Sequence, residues 1–331
     1  MKTAATVLIA IALSLSELSC GSAHEAEESY YLISANIQVP YWKTASAGFM
    51  DAARDMKVPS HFEGPESYDP KAEQQTLQQA IAKKPTGILI SVTDPALLKA
   101  DIDNAIAAGI PVITIDSDAP ESKRLFFIGT DNYQAGRIGG QRLAKELNGK
   151  GSVAVFTIPE MANMKDRLRG YRDALEATPG IKISRIIDIK GDPRIAFDTA
   201  TQILGNDKKE KIDGFVCLEA LSGKEVATVI STNKAKGKVI MAMDTDPDTL
   251  DWINKGVISA TITQKPYTMA HFGVTLLDAL YHHKPGKLDS DWARDSLSPM
   301  PAFVDTGSAL VDKSNVDAFI AANKSVTSGQ R

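Results

Sequence analysis

The chain reads as an α/β protein of two doubly wound parallel-sheet lobes joined by a multi-strand hinge. Three observations predict this. From Tyr30 onward, short Val/Ile/Leu-rich runs alternate with helix-length amphipathic runs, as expected where strands are buried on both faces of a parallel sheet. Helix starts share one device: Asp69-Pro70, Asp94-Pro95, Asp192-Pro193 and Asp246-Pro247 each place a carboxylate before a proline. The alternation also continues through both halves, with more strands than one such sheet comfortably holds.

Taken in order, strands are expected at residues 30–37, 87–92, 112–116 and 126–130, then at 153–157, 184–189, 214–218, 239–244 and 259–263. Between them the periodicity predicts helices such as 44–56, 72–82, 96–108 and 133–147; in 96–108, Leu97, Ile102, Ala105 and Ile106 fall mainly on one face. In each Asp-Pro pair the carboxylate caps free backbone N–H groups, and the proline at the first helical position loses no needed donor. No long Pro/Gly/Ser linker separates the halves, so tight chain crossings are expected, an arrangement suited to a hinge. They are placed near Thr130-Asp131, near Thr263-Gln264 and around residues 288–294. This divides the chain into a first lobe of residues 30–130 plus 264–290, a second of 131–263 plus 291–324, and a tail at 325–331.

The composition sets limits. The chain has 331 residues, 43% hydrophobic and 24% charged, ordinary for a globular protein of two domains. Net charge is −4 with both signs interspersed, so no basic stripe marks a nucleic-acid surface. The only cysteines are Cys20 and Cys217, too few for a disulfide framework. Cys217 lies inside an apolar strand and is expected to be structural. Met1-Lys2, the apolar run TVLIAIALSLS and the small residues around Cys20-Gly21-Ser22 read as a secretory signal over 1–22. The run is too short for a comfortable membrane span. Residues 23–29 read as a polar, flexible tether.

Ligands of open α/β sheets bind beyond the carboxyl ends of the strands. Those positions carry Asn36 through Tyr41-Trp42, Ser91, Asp116-Ser117, Glu219, Asp244 and Gln264. Together they would make a ring of carboxylates and amides with two aromatic rings nearby. Sugar hydroxyls donate and accept and pair with such groups in forked geometry; the apolar C–H face of a sugar packs on an aromatic ring. Each residue has a second reading: Tyr41 and Trp42 as core anchors of the first helix, Asp116 as a cap or hinge contact, Arg167 as a surface ion pair, and Glu219 as a helix cap.

Four stretches then resemble one family. They are Val39-Pro40-Tyr41-Trp42; the run GIPVITID ending at Asp116; Gly129-Thr130-Asp131-Asn132 with Ala135-Gly136; and Arg167-Leu168-Arg169-Gly170-Tyr171. Asp244 and Ala260-Thr261-Ile262-Thr263-Gln264 follow in family order. The chain resembles the periplasmic sugar-binding proteins of the ribose/galactose type, over roughly Tyr30 to Asn323. These are type I periplasmic binding proteins with Rossmann-like lobes, sharing their core with LacI-type repressors. The resemblance implies stacking by Tyr41 and Trp42 and hydroxyl contacts from Asp116, Arg167, Asp244 and Gln264. It implies the substrate-binding component of an ABC transporter: a monomer that closes its lobes on a small sugar or polyol, uses no cofactor or metal, and delivers to a membrane permease. It also implies an extracytoplasmic location, with Cys20 similar to a lipoprotein's lipidated cysteine although Glu17 stands where that signal usually has Leu. Departures from the ribose pattern fall at Val39, Ser91, Ser117 and Glu219, and a pocket aromatic expected near Lys190–Asp192 is absent. These predict a different hydroxyl pattern on the ligand, or a cationic group.

Three rivals are weighed against this. A LacI-type repressor needs an N-terminal helix-turn-helix, and a signal segment occupies that place. An enzyme would use Asp116, Asp244 and Glu219 for acid–base cleavage of a glycoside. No G-x-S-x-G elbow, H-E-x-x-H motif or G-x-G-x-x-G turn after a strand accompanies them, and His282-His283 stands as a lone pair. A sensor module presenting ligand to a chemoreceptor or sensor kinase would share both fold and pocket.

Overall fold

A computed structural model describes residues 24–327 apart from 26, 284–290, 293, 296 and 299. Cys20, the signal segment and part of the expected 264–290 stretch therefore lie outside the described residues.

The first sheet contains β1 (Tyr30–Ile33), β2 (Ser60–Glu63), β3 (Gly87–Ile90), β4 (Val112–Ile115), β5 (Phe127–Gly129) and β11 (Phe303–Asp305). The second contains β6 (Gly151–Thr157), β7 (Ile181–Asp188), β8 (Gly214–Cys217), β9 (Val239–Met243), β10 (Ala260–Thr263) and β12 (Ala309–Asp312). Their orders are β11-β5-β4-β3-β1-β2 and β12-β10-β9-β8-β6-β7. The two lobes thus repeat one plan, and each order reverses direction between its first and third strands, where such sheets open a crevice. Every pairing is parallel except β10 with β12. Each sheet carries its own apolar core, and Cys217 is buried in the second, where burial pushes its thiol well up.

The helices are α1 (Pro40–Met56), α2 (Pro70–Ala82), α3 (Pro95–Ala107), α4 (Asn132–Glu146), α5 (Ala162–Glu176), α6 (Pro193–Gly205), α7 (Ser222–Thr232), α8 (Pro247–Asn254), α9 (Pro266–His282) and α10 (Val316–Thr327). Asp69, Asp94 and Asp192 cap α2, α3 and α6 through backbone N–H groups. Asp246 makes no such bond; burial pushes its carboxyl up to about 6 instead.

Two glycine contacts set the position of α5. A Cβ on Gly136 of α4 would lie 2.1 Å from the carbonyl oxygen of Arg167, and one on Gly170 of α5 would lie 2.1 Å from that of Tyr133. Only glycines permit this approach. The glycines of the two family-like stretches therefore bring the backbones of α4 and α5 into direct contact.

Several expectations are corrected. The first strand ends at Ile33; the chain then turns away, and Ile37 N–H donates to Pro65 O. The first helix begins at Pro40, which brings Tyr41 and Trp42 onto it. β2, β11 and β12 went unread because they are short and partly exposed. Residues expected in the second lobe after 291 first serve the first lobe: Trp292, Met300 and Val304 pack on its core, and the Phe303 ring stacks 5.2 Å from Phe127. The third crossing consequently falls between Asp305 and Ala309, not around 288–294. There Thr306 N–H donates to Gly129 O at 2.8 Å, and Asp305 accepts from Asp131 N–H at 3.0 Å. These bonds tie the third crossing to the first. α10 runs to Thr327, into the expected tail. Among the described residues of the expected tether, His24 and Ser29 bond to Asp278 and Thr86 of the first lobe, and Glu28 is buried.

Candidate functional site

The cleft lies between the carboxyl ends of the two sheets. Its lining includes Asn36, Tyr41, Trp42, Tyr68 and Asp116 from the first lobe, and Asn163, Arg167, Glu219, Asp244 and Gln264 from the second lobe and the crossing.

Asp116 and Asp244 end β4 and β9 in left-handed backbone, with φ of 64° and 68°. Such φ values are uncommon outside glycine and cluster at functional sites. Asp116 accepts from Tyr41 Oη at 2.8 Å, Ser91 Oγ at 3.4 Å and Asn163 Nδ2 at 3.3 Å. The last bond crosses between lobes. Asp244 accepts from Gln264 Nε2 at 2.9 Å.

Arg167 is 2% exposed. Its Nε donates to Asn132 at 2.8 Å, Nη1 to Leu218 O at 2.7 Å and Nη2 to Gln264 Oε1 at 2.9 Å. A guanidinium has five N–H donors. One on Nη2 is left without a protein acceptor among the described residues, and one on Nη1 has only the weak acceptor Met164 Sδ at 3.9 Å. The protein thus holds the group rigidly and leaves donor capacity at the cleft. Arg167 is no surface ion pair.

Burial raises all three cleft carboxyls, and Arg167 opposes the rise in each case. Asp244 is pushed up to about 7. Near neutrality it can donate as a carboxylic acid or accept as a carboxylate. Burial and the nearby Asp116 and Asp244 raise Tyr41 well above the usual phenol range, so its hydroxyl stays neutral and donates.

Tyr41 and Trp42 have two faces. They belong to the first core and also face the cleft, their rings edge to face at 5.2 Å. Glu219 likewise lines the cleft while accepting from Leu221 N–H at 2.6 Å and Ser222 N–H at 3.2 Å, ahead of α7. The expected site loses two members as direct contacts. Ser91 lies behind Asp116 as its donor. Ser117 is fully buried beneath the lining: the left-handed turn at Asp116 delivers that side chain to the cleft, while Ser117 O accepts from Val92 N–H.

Sequence reasoning missed Tyr68, Asn132 and Asn163. Asn132 was visible as the end of the Gly129–Asn132 stretch, but its bond to Arg167 was not. Tyr68, in the loop before α2, has no periodic signal. It presses on Gly191 across the cleft, where an added Cβ would lie 2.2 Å from Tyr68 Cβ. Next to Lys190–Asp192, where the expected aromatic ring is absent, the cleft is lined by Tyr68 of the opposite lobe.

Known proteins share this fold. A family model described as periplasmic binding protein domain matches residues 30–285. The xylose/arabinose-binding protein XylF of Sulfolobus acidocaldarius is 26% identical over 302 residues, covering 86% of this chain and 71% of that protein. A sugar-binding protein of a sugar ABC transporter from Bacillus halodurans is 35% identical, with a TM-score of 0.75 over 88% of this chain and 99% of that one. The arabinose-binding protein AraP of Geobacillus stearothermophilus is 33% identical, with a TM-score of 0.71 over the same shares.

Proposed function

The chain belongs to the periplasmic binding protein family, and from that premise we propose that it is the extracytoplasmic substrate-binding protein of an ABC transporter, closing on one monosaccharide or polyol. The observation that carries this reading is the Arg167 network: a buried guanidinium, held by three protein acceptors, presents its remaining donors beside carboxyls that can donate or accept. That mixture suits hydroxyl groups. Similarity to proteins named for binding xylose, arabinose and allose supports it. The aromatic faces of Trp42 and Tyr68 would pack on the sugar's C–H surface. The protein acts by binding and release, not by turnover, and hands its ligand to a permease. Among the described residues no helix is long and apolar enough to cross a membrane; attachment through a lipid on Cys20 is part of the proposal.

A thermal-shift screen against pentoses, hexoses, deoxysugars and polyols tests the reading. A true ligand at a hundred times its dissociation constant stabilises by about 2.7 kcal/mol. Incubation with glycosides should release no product. A screen in which no sugar or polyol shifts unfolding, or one in which a glycoside is cleaved, would contradict it.

A further inference from the structure

We propose that the N-terminal arm and the last turn of α9 form a zinc site, made by His24, Glu28, Asp278 and His282. One ligand atom from each of the four lies within 4.8 Å of the others. His24 Nε2 is 2.9 Å from Asp278 Oδ1, His282 Nε2 is 3.2 Å from Glu28 Oε2, and His282 Nε2 is 3.6 Å from Asp278 Oδ1. Zinc bonds to imidazole nitrogen and carboxylate oxygen give a tetrahedral edge of roughly 3.4 Å. These three separations bracket that value, and no pair in the set exceeds 4.8 Å.

The chemistry of the set agrees. Two imidazoles suit zinc better than the harder calcium or magnesium, and two carboxylates balance a dication. Glu28 is 1% exposed, a burial that carboxylates rarely tolerate without a partner of opposite charge. Supporting contacts orient both carboxylates, as outer-shell groups do around metal ligands. Glu28 Oε1 accepts from Glu25 N–H at 2.7 Å, leaving Oε2 toward His282. Tyr30 Oη donates to Asp278 at 2.9 Å.

The sequence hides this site. Asp278 and His282 are four apart on α9, so they share a helix face. His24 and Glu28 come from more than two hundred residues away. The site sits beside the start of β1, at the end of the first lobe opposite the cleft. A bound ion would fasten the arm leading back to Cys20 onto the lobe.

Zinc ion alone is the probe, added to protein without a histidine tag after treatment with chelator and dialysis. Calorimetry should show one zinc per chain, with thermal unfolding shifted upward. Calcium and magnesium at equal concentration should not displace it. Changes to outer-shell residues typically cost 10–100-fold in metal affinity, so Tyr30→Phe should weaken binding by about tenfold. Loss of a direct ligand should cost about 100-fold or more by the same scale, in His24→Gln and in His282→Gln. His24 lies on the docked arm outside both apolar cores, so His24→Gln tests the site even if an α9 variant folds poorly. His283→Gln should leave binding unchanged. Failure to take up stoichiometric zinc, or uptake that survives His24→Gln and His282→Gln, would overturn the proposal and leave an ion-paired cluster only.

Discussion

Asp116 in the first lobe and Asp244 in the second end equivalent strands, and both adopt left-handed backbone. Each is 6% exposed. Their partners differ. Asp116 accepts from three protein donors, one reaching across from the other lobe. Asp244 accepts from Gln264, while Arg167 favours the charged form of both aspartates. A buried carboxylate is costly unless hydrogen-bonded. At Asp116 protein side chains meet that cost, two from the first lobe and Asn163 from the second, whereas Asp244 keeps acceptor capacity for a ligand. The cleft therefore has a finished wall and a receptive wall.

Arg167 anchors the receptive wall, and removing it should have the largest effect. Arg167→Ala leaves Asn132, Leu218 O and Gln264 without their donor and strips the ligand of its charged partner. Sugar binding should weaken by roughly 2–4 kcal/mol in calorimetry. Parent-like affinity would remove Arg167 from the site.

The aspartates test the contrast itself. Asp244→Asn should weaken binding by about 1.5–3 kcal/mol, the range for hydrogen bonds to charged groups, with little loss of stability. Asp116→Asn should chiefly lower stability, because an amide oxygen cannot replace a carboxylate facing Tyr41, Ser91 and Asn163. Identical behaviour of the two variants would break the comparison.

Glycine contacts sharpen it. In the first lobe a Cβ on Gly48 would lie 2.2 Å from Tyr267 O; in the second, one on Gly136 would lie 2.1 Å from Arg167 O. Each substitution to alanine should cost roughly 1–3 kcal/mol of stability through overpacking. Gly136→Ala displaces the helix bearing Arg167, whereas Gly48→Ala displaces the helix bearing Tyr41 and Trp42, so Gly136→Ala should weaken ligand binding more.

A further test lies in pH dependence. Asp244 has an ordinary value of 3.8 and is pushed up to about 7 in the folded protein. The folded state therefore holds the proton more tightly, and this contribution is fully present below about pH 4. It is lost as pH rises toward and through about 7. Chemical denaturation across that range should show a shallower fall for Asp244→Asn than for the parent. Equal slopes would place the Asp244 carboxyl near its ordinary range.

Much of this is legible in the sequence. The Val/Ile/Leu runs gave the central strands because burial on both faces leaves a continuous apolar signature. The Asp-Pro pairs marked helix starts because cap and proline act locally. Tyr41, Trp42, Asp116, Glu219, Asp244 and Gln264 reach the cleft because they follow strand ends, which topology fixes; Arg167, inside α5, is legible only through the family resemblance. What stayed hidden depends on long-range approach. Phe303 joins the first sheet by stacking on Phe127, a contact that no local pattern encodes. Tyr68 reaches Gly191 from the opposite lobe. Ser117 points away because Asp116 adopts a left-handed turn, which an aspartate in sequence does not announce.

Lobe closure over one ligand is the central claim. In this structure the lobes touch through Tyr68 on Gly191 and through Asn163 on Asp116, contacts that a hinge motion would open. Small-angle scattering with and without the best ligand from the sugar screen tests this most directly. The account predicts a smaller radius of gyration on binding and a bound profile that matches this structure. An unchanged radius, with a ligand that calorimetry shows to be tightly bound, would contradict it.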